Sequence, residues 1–159
     1  MLTNQSITII RGFPADGFLE VLASRKPKAV FVLEGRPKLE GAKAFCRKLL
    51  RKKIMPTVIS DNMAGFLFYK NLVKEVWVTY QDLNHKDAFA DVGGLILSVL
   101  GKKHGVPVYL FPSGKKTKSI GRAEDILRFN GKRIAAKGVK GYVPLVERLP
   151  KKYITKVYA

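Results

Sequence analysis

Short apolar runs that alternate with amphipathic segments are the feature that most limits how this chain can fold. The connections between these runs are too long for β-hairpins, which favours parallel strands joined by right-handed crossovers. The runs predicted as strands are residues 6–10, 29–33, 54–59, 76–79 and 106–111. The sequence therefore predicts an α/β fold with a doubly wound parallel sheet, helices on both faces, and an irregular C-terminal extension.

The amphipathic segments supply the predicted helices. Asp16 can cap a first helix, the segment 38–52 returns over the sheet, and a third helix begins near Asp61 and ends near residue 70. The longest predicted helix covers residues 88–103, and beyond residue 121 only 132–136 and 154–158 are expected as edge strands. We expect one Rossmann-like domain over residues 1–159, since this length suits a single core.

Charge and hydropathy narrow the class of protein. The 30 Lys and Arg residues outnumber 12 Asp and Glu and give a formal charge of +18. Such a charge attracts phosphates, nucleic acids and acidic partners, or else reflects adaptation to heat or solubility. No apolar run approaches the roughly 20 residues that span a bilayer, and the N-terminal residues carry no export signal. We therefore expect a cytoplasmic protein without a membrane partner.

The loop after the fourth predicted strand concentrates residues that can bind metal. Asp82, His85, Asp87 and Asp91 suggest such a site, but Asp87 can cap the next helix and Asp91 can complement its dipole. The single cysteine, Cys46, falls on the apolar face of a predicted helix and is expected to be a core residue. No disulfide or four-ligand zinc site can be built, so we predict no metal.

The start of the longest predicted helix offers an anion site instead. Gly93 and Gly94 would let a phosphate approach the backbone N–H groups, although the charge of Asp91 would repel it. Phosphate-binding signatures are otherwise missing. The loop 113–117 lacks the first glycine of the Walker pattern, and no Gly-x-Gly-x-x-Gly follows the first strand. We predict no cofactor.

Polar residues follow the second and third predicted strands. Open α/β sheets bind ligands at the carboxyl ends of their strands, which makes Ser60, Asp61 and Asn62 candidate binding residues. The alternative is that they only cap the next helix. Arg36 can bind a phosphate or carboxylate, or can pair with a neighbouring glutamate such as Glu40.

Three motifs in order give the chain a family resemblance. Residues 34–41 are similar to Glu-Thr/Ser-Arg-Pro, two residues, then Gln/Glu-Gly, and residues 61–65 match Asp-Asn-Met-Ala-Gly. Residues 146–150 and 153–155 are similar to Phe-Asp/Glu-x-x-Pro followed by Leu/Tyr-Ile-Thr. From about residue 7 to its end, the chain thus resembles the methylthioribose-1-phosphate isomerases, the ribose-1,5-bisphosphate isomerases and the regulatory subunits of translation initiation factor 2B. The resemblance implies a Rossmann-like domain that pairs with a second copy, without the family's N-terminal helical domain.

The resemblance also implies that functional residues are missing. The family's catalytic cysteine would follow the first strand, where residues 10–13 are Ile-Arg-Gly-Phe, and Asp82 is the only stand-in for its catalytic aspartate. The family's phosphate-contacting Asn-Lys pair corresponds to Ala90 and Asp91, whereas Glu40 takes the place of a Gln or Glu that lines the site. Aldose–ketose isomerisation needs groups that open the ring and move a proton or hydride, so intact isomerase activity is not expected.

The sequence and the resemblance together predict a non-catalytic module that binds a sugar phosphate or nucleotide and forms a homodimer. The predicted ligand-binding residues are Arg11, Arg36, Glu40, Asp61, Asn62, Gly93 and Gly94. One alternative is a sugar-phosphate isomerase with a diverged site, in which Asp82 is the acid/base. The other is an RNA- or ribosome-associated protein with a basic surface. That surface would comprise Lys102, Lys103, Lys115, Lys116 and Lys118.

Overall fold

The computed structural model describes residues 5–159, which form a mostly parallel sheet flanked by helices. The strands are β1 (Ile7–Arg11), β2 (Ala29–Leu33), β3 (Pro56–Ile59), β4 (Val73–Leu83), β5 (Asp87–Asp91), β6 (Val108–Pro112), β7 (Arg128–Phe129), β8 (Lys132–Arg133), β9 (Val146–Pro150) and β10 (Lys156–Val157). The helices are α1 (Phe18–Ser24), α2 (Cys46–Arg51), α3 (Ala64–Tyr69), α4 (Gly94–His104) and α5 (Glu124–Leu127). A π-helical turn, Gly41–Phe45, leads into α2, and 3-10 turns occupy Asp61–Met63 and Lys151–Tyr153.

The sheet has the predicted doubly wound topology. Strands in the order β10-β6-β4-β1-β2-β3 all pair in parallel. From β1 the chain adds β2 and β3 on one side, and then β4 and β6 on the other. The topological switch point, where ligands bind such sheets, therefore lies at the carboxyl end of β1. The predicted fold class is confirmed, although β4 is longer than the predicted strand 76–79.

Helices cover both faces of the sheet, as predicted. On one face α3 and α4 bury Leu67, Phe68 and Leu97 against the strands. On the other face α1 and α2 contribute an aromatic core in which Phe18 packs edge-on against Trp77. Cys46 lies in this second core, as predicted, and is a free thiol. These two cores hold the strand ends that form the candidate site.

The predicted helix at 88–103 is wrong over its first residues, because β5 occupies Asp87–Asp91. This strand runs antiparallel to β4 and to β9. The side chains of Ala88 and Ala90 are fully buried, so the segment has the two-residue period of a strand. Asp87 accepts a hydrogen bond from the Arg148 guanidinium and caps no helix. Since α4 begins only at Gly94, Asp91 ends a strand and does not complement a helix dipole.

The C-terminal part is more regular than predicted. The sequence missed β9, which joins the main sheet through β5. The edge strand predicted at 154–158 is present as β10, which pairs with β6. The strand predicted at 132–136 is reduced to β8, which forms a separate two-stranded sheet with β7. Across residues 5–159, no helix is long and apolar enough to cross a membrane.

Candidate functional site

A cleft lies at the carboxyl ends of β1 and β2, at the switch point of the sheet. Its lining comes from four parts of the chain: residues 11–12, residues 35–41 without Leu39, residues 91–92, and the C-terminal residues 117 and 144–145. The cleft is narrow, with about 30 Å³ of free volume, and it opens to solvent. That volume holds about two water molecules, so a larger ligand must extend into the mouth or widen the cleft.

Asp61 shapes the loop that forms one wall. Its two carboxylate oxygens accept hydrogen bonds from the backbone N–H groups of Gly35 (3.0 Å) and Arg36 (2.7 Å). Ser60 makes no side-chain capping bond to the following helical turn. Asn62 is exposed and lies outside the lining residues. Asp61 therefore positions the loop that follows β2, which we call the β2 loop. Its side chain does not simply cap the following helical turn, and it does not line the cleft.

Arg11 forms the floor of the cleft. Its guanidinium is buried and donates from Nε (3.2 Å) and Nη2 (2.6 Å) to the carbonyl of Val92. The remaining Nη1 faces Gly35, where an added Cβ would lie 3.2 Å from it. Gly35 also has a φ of +78°, so glycine suits this position in two ways. Arg11 thus connects the β2 loop to the segment that follows β5.

Gly12 lines the cleft next to Arg11 and packs against Thr79 of β4. An added Cβ would lie only 1.9 Å from the Thr79 hydroxyl oxygen, which leaves room for glycine alone. That hydroxyl is buried and has no hydrogen-bond partner among the described residues. Glycine at residue 12 therefore allows the end of β1 to pack closely against β4 beside the cleft.

Charged side chains surround the mouth. The guanidinium of Arg36 stacks over the Phe129 ring at 4.6 Å, and Lys38 is exposed beside it. Glu40 accepts a hydrogen bond from Lys115 Nζ (3.2 Å), which connects the loop after β6 to the cleft. The cleft therefore presents cationic groups at its floor and mouth, together with carboxyl groups.

Asp91 is the second carboxyl group of the cleft. The resemblance aligned it with a phosphate-contacting residue, but the secondary structure predicted at this position was wrong. Burial raises the pKa of Asp91, while Arg11 opposes that shift, Glu40 adds to it, and Lys38 and a hydrogen bond with Thr117 oppose it. The available signal was the alternation in Asp-Ala-Phe-Ala-Asp, which indicates a strand and directs the last residue to a strand end. Asp91 was instead assigned to a helix.

The start of α4 is already occupied by a carboxylate from the chain itself. Glu147 Oε1 accepts hydrogen bonds from the N–H groups of Gly93 and Leu95, each at 2.8 Å. Gly94 packs against the core, where an added Cβ would lie 2.8 Å from a Val78 methyl group. Gly93 and Gly94 are not among the residues that line the cleft. The N–H of Gly93 is thus bonded to Glu147, and Gly94 is packed against Val78.

The candidate catalytic residue, Asp82, and the single cysteine both lie outside the cleft. Asp82 is exposed on β4, where its carboxylate accepts a hydrogen bond from the neighbouring N–H of Leu83 (2.8 Å). Cys46 is buried in α2, and burial raises the pKa of its thiol. Neither residue lines the cleft. Within residues 5–159, no group of three His, Cys, Asp or Glu residues is arranged to hold a metal ion.

A second surface feature surrounds β3, which is an edge strand of the sheet. Six large apolar side chains here are between 45% and 79% exposed, and we call them the apolar face. The apolar face comprises Leu50, Met55, Val58, Met63, Phe66 and Tyr69. Each of these side chains is far more exposed than the apolar side chains of the two cores. Large exposed apolar side chains that adjoin one another mark a surface that a partner covers.

Comparisons with known proteins agree on the relatives of this chain. Residues 6–159 match the model of the initiation factor 2 subunit family. A methylthioribose-1-phosphate isomerase of Thermus thermophilus is 30% identical over 158 residues, which cover 92% of this chain and 48% of that protein. The chain thus spans about half the length of this curated relative.

Two solved structures share the fold. The eIF-2B subunit delta of A. fulgidus superposes with a TM-score of 0.84 at 21% identity, over 98% of this chain and 52% of that one. The 5-methylthioribose 1-phosphate isomerase of Pyrococcus horikoshii OT3 superposes with a TM-score of 0.81 at 21% identity, over 98% and 50% respectively. At this identity they support the fold alone.

Proposed function

Since the chain belongs to the initiation factor 2 subunit family, we propose that it binds a small phosphorylated ligand in the cleft and works as a regulatory module. The ligand would be a sugar phosphate or a nucleotide. The observation that carries this proposal is the position of the cleft, at the switch point of a parallel sheet with Arg11, Arg36 and Lys38 around it. Relatives named as methylthioribose-1-phosphate isomerases support a sugar phosphate as the first ligand to test.

Each cationic group has a distinct place in this proposal. Arg11 is committed to Val92 through two of its nitrogens, so it offers mainly Nη1 and the fixed charge of its guanidinium. Arg36 and Lys38 lie at the open side, where a phosphate could approach without displacing core contacts. A planar guanidinium binds two phosphate oxygens at once, whereas a lysine contributes a mobile point charge.

The regulatory reading rests on what the cleft does not contain. Cys46 lies in the core and Asp82 lies outside the cleft, so neither can act on a ligand bound there. The carboxyl groups that remain are Glu40 and Asp91, and Glu40 is paired with Lys115. An isomerase with a diverged site would need Asp91 for proton transfer, and an assay with ribose-1,5-bisphosphate and 5-methylthioribose 1-phosphate tests that alternative. We expect no turnover of either compound.

Thermal unfolding with a ligand panel tests the binding proposal. The panel contains ribose-1,5-bisphosphate, 5-methylthioribose 1-phosphate, AMP and inorganic phosphate, each at moderate salt. A ligand at about one hundred times its Kd stabilises the folded state by roughly 2.7 kcal/mol if it binds only that state. We expect one organic phosphate to stabilise the protein more than inorganic phosphate does.

A matched pair of double variants shows whether the cleft is responsible. Replacing Arg36 and Lys38 with Gln should abolish the stabilisation, because both cations line the cleft. Replacing Lys102 and Lys103 with Gln removes the same charge from the end of α4 and should leave it unchanged. Equal losses in the two double variants would show a general attraction to a basic protein and would contradict the proposal.

We also propose that two copies associate through the apolar face. Its six side chains are large, apolar and at least 45% exposed, so a second copy that covers them would remove apolar surface from water. Because each copy carries a formal charge of +18, repulsion opposes the pairing and salt screens it. Sedimentation velocity should therefore show more dimer at high salt than at low salt.

Variants of the apolar face separate this dimer from other associations. The double variant Met55→Ser, Tyr69→Ser should be a monomer. Tyr142→Ser is the control and should still form the dimer, because Tyr142 is 78% exposed but does not belong to the apolar face. A wild-type protein that stays monomeric at every salt concentration would contradict the dimer. Binding to RNA at low salt would instead favour the RNA- or ribosome-associated alternative. Binding to an acidic protein at low salt would indicate a protein partner for the basic surface.

A further inference from the structure

We propose that Asp91, together with Glu40, makes the cleft select a monophosphate ester that carries free hydroxyl groups over a free oxyanion. This inference rests on the proposed binding function and assigns the hydroxyl-binding part of the same cleft. A sugar monophosphate and a nucleoside monophosphate both have this chemistry. Inorganic phosphate and sulfate do not.

Three segments of the chain bring charged groups to the cleft. Asp91 ends β5, and the antiparallel pairing of β5 with β4 and β9 directs it to the cleft. Glu40 and the cations Arg36 and Lys38 belong to the loop after β2, and Arg11 ends β1. A ligand in this cleft therefore meets cations and carboxyl groups at the same time.

Asp91 is not neutralised by an ion pair. Within residues 5–159 the ion pairs include none with Asp91, and the nearest guanidinium, that of Arg11, donates to the Val92 carbonyl. Arg11, Lys38 and Thr117 are the groups near Asp91 that favour its charged form. The carboxylate thus retains oxygens that can accept hydrogen bonds from a ligand.

A carboxylate discriminates between the ends of such a ligand. It accepts hydrogen bonds from hydroxyl groups, and charge strengthens those bonds. It repels the oxygens of sulfate, which carry no proton to donate at neutral pH. A partly buried carboxylate without an ion pair is costly, so the hydroxyl groups of a bound sugar would compensate for it. The phosphate of the same ligand would lie toward Arg36 and Lys38.

Protonation of Asp91 should reverse the preference. Burial and Glu40 raise the pKa of Asp91, while Arg11, Lys38 and Thr117 oppose them, and the net shift is upward. Asp91 therefore takes up a proton at a higher pH than an ordinary aspartate, and its protonated form can donate to an oxyanion. Sulfate should bind more tightly as the pH falls, because its own charge stays fixed.

Isothermal titration calorimetry with ribose 5-phosphate and sulfate tests the proposal. The wild-type protein should bind ribose 5-phosphate at least about tenfold more tightly than sulfate at neutral pH. Asp91→Asn should reduce that ratio by about tenfold and should remove the pH dependence of sulfate binding. Asp82→Asn removes the same charge outside the cleft and should change neither quantity.

Circular dichroism establishes that each variant is folded. If Asp91→Asn does not fold, Glu40→Gln provides the second variant and should change the ratio in the same direction. A folded Asp91→Asn or Glu40→Gln variant with an unchanged ratio would overturn the role of the carboxyl groups while leaving ligand binding intact. If neither probe binds the wild-type protein, the proposed function is wrong and this inference fails with it.

Discussion

Asp61→Ala should destabilise the wall of the cleft more than the same substitution of the neighbouring residue, Asn62→Ala. The carboxylate accepts two backbone hydrogen bonds, from Gly35 and Arg36. Asp61→Ala leaves both N–H groups without this acceptor. The adjacent Asn62→Ala provides the control, because Asn62 is exposed and outside the lining of the cleft.

The expected magnitude follows from the kind of bond that is lost. A hydrogen bond to a charged group contributes roughly 1.5–3 kcal/mol, and water can replace part of it where the site is half-buried. We expect Asp61→Ala to lower the free energy of unfolding by about 2–4 kcal/mol. Asn62→Ala should stay within about 0.5 kcal/mol of the wild type.

Urea denaturation monitored by circular dichroism measures both values. The unfolding midpoint should fall for Asp61→Ala without a change in the slope, because the same surface is exposed on unfolding. The variant should also lose ligand-induced stabilisation, since the loop that carries Arg36 is no longer held. Equal midpoints for Asp61→Ala and Asn62→Ala would refute the conclusion that Asp61 positions this loop.

Three further predictions concern the surroundings of the cleft. Gly94→Ala should lower the free energy of unfolding by about 1–3 kcal/mol, because its Cβ would lie 2.8 Å from Val78. Gly65→Ala is the control: its Cβ meets nothing within 4 Å, so it should be neutral or slightly stabilising, and thermal unfolding distinguishes the two variants. Glu147→Ala should lower the free energy of unfolding by about 1–2 kcal/mol, because two N–H groups at the start of α4 lose their acceptor, and the exposed Glu124→Ala provides the control in urea denaturation. The pKa of Asp91 is raised on folding, so ionisation of this carboxyl group destabilises the folded state. Asp91→Asn should therefore unfold at a higher temperature than the wild type at pH 7. This difference in unfolding temperature should disappear as the pH falls below about 4, the ordinary aspartate pKa.

The sequence was sufficient for the parallel part of the sheet. Each predicted strand is a short apolar run, and each connection is too long for a hairpin, so one pattern specified both the strands and their direction. The antiparallel strand β5 was missed because Ala88 and Ala90 are good helix formers beside a long apolar helix. Their burial against the pairing partners of β5 decides in favour of a strand, and those partners are distant in the sequence.

The candidate site was only partly predictable for the same reason. Arg11 and Arg36 were assigned to a ligand site from their positions after strands and Glu40 from the family resemblance, and the structure brings all three to one cleft. The resemblance aligned Asp91 with a phosphate-contacting residue, but the strand that carries it, β5, was predicted as a helix. The internal acceptor at the start of α4, Glu147, lies more than fifty residues away in the sequence, so no local pattern indicates it.

A titration followed by ¹⁵N–¹H correlation spectra tests most directly the claim that the cleft binds an organic phosphate. Ribose 5-phosphate should shift the amide signals of Gly12, Gly35, Gly41, Val92 and Thr117, which line the cleft. The shifts should saturate and should be much smaller in the Arg36→Gln, Lys38→Gln double variant. Shifts spread over the exposed lysines, with no change at these five amides, would contradict the account.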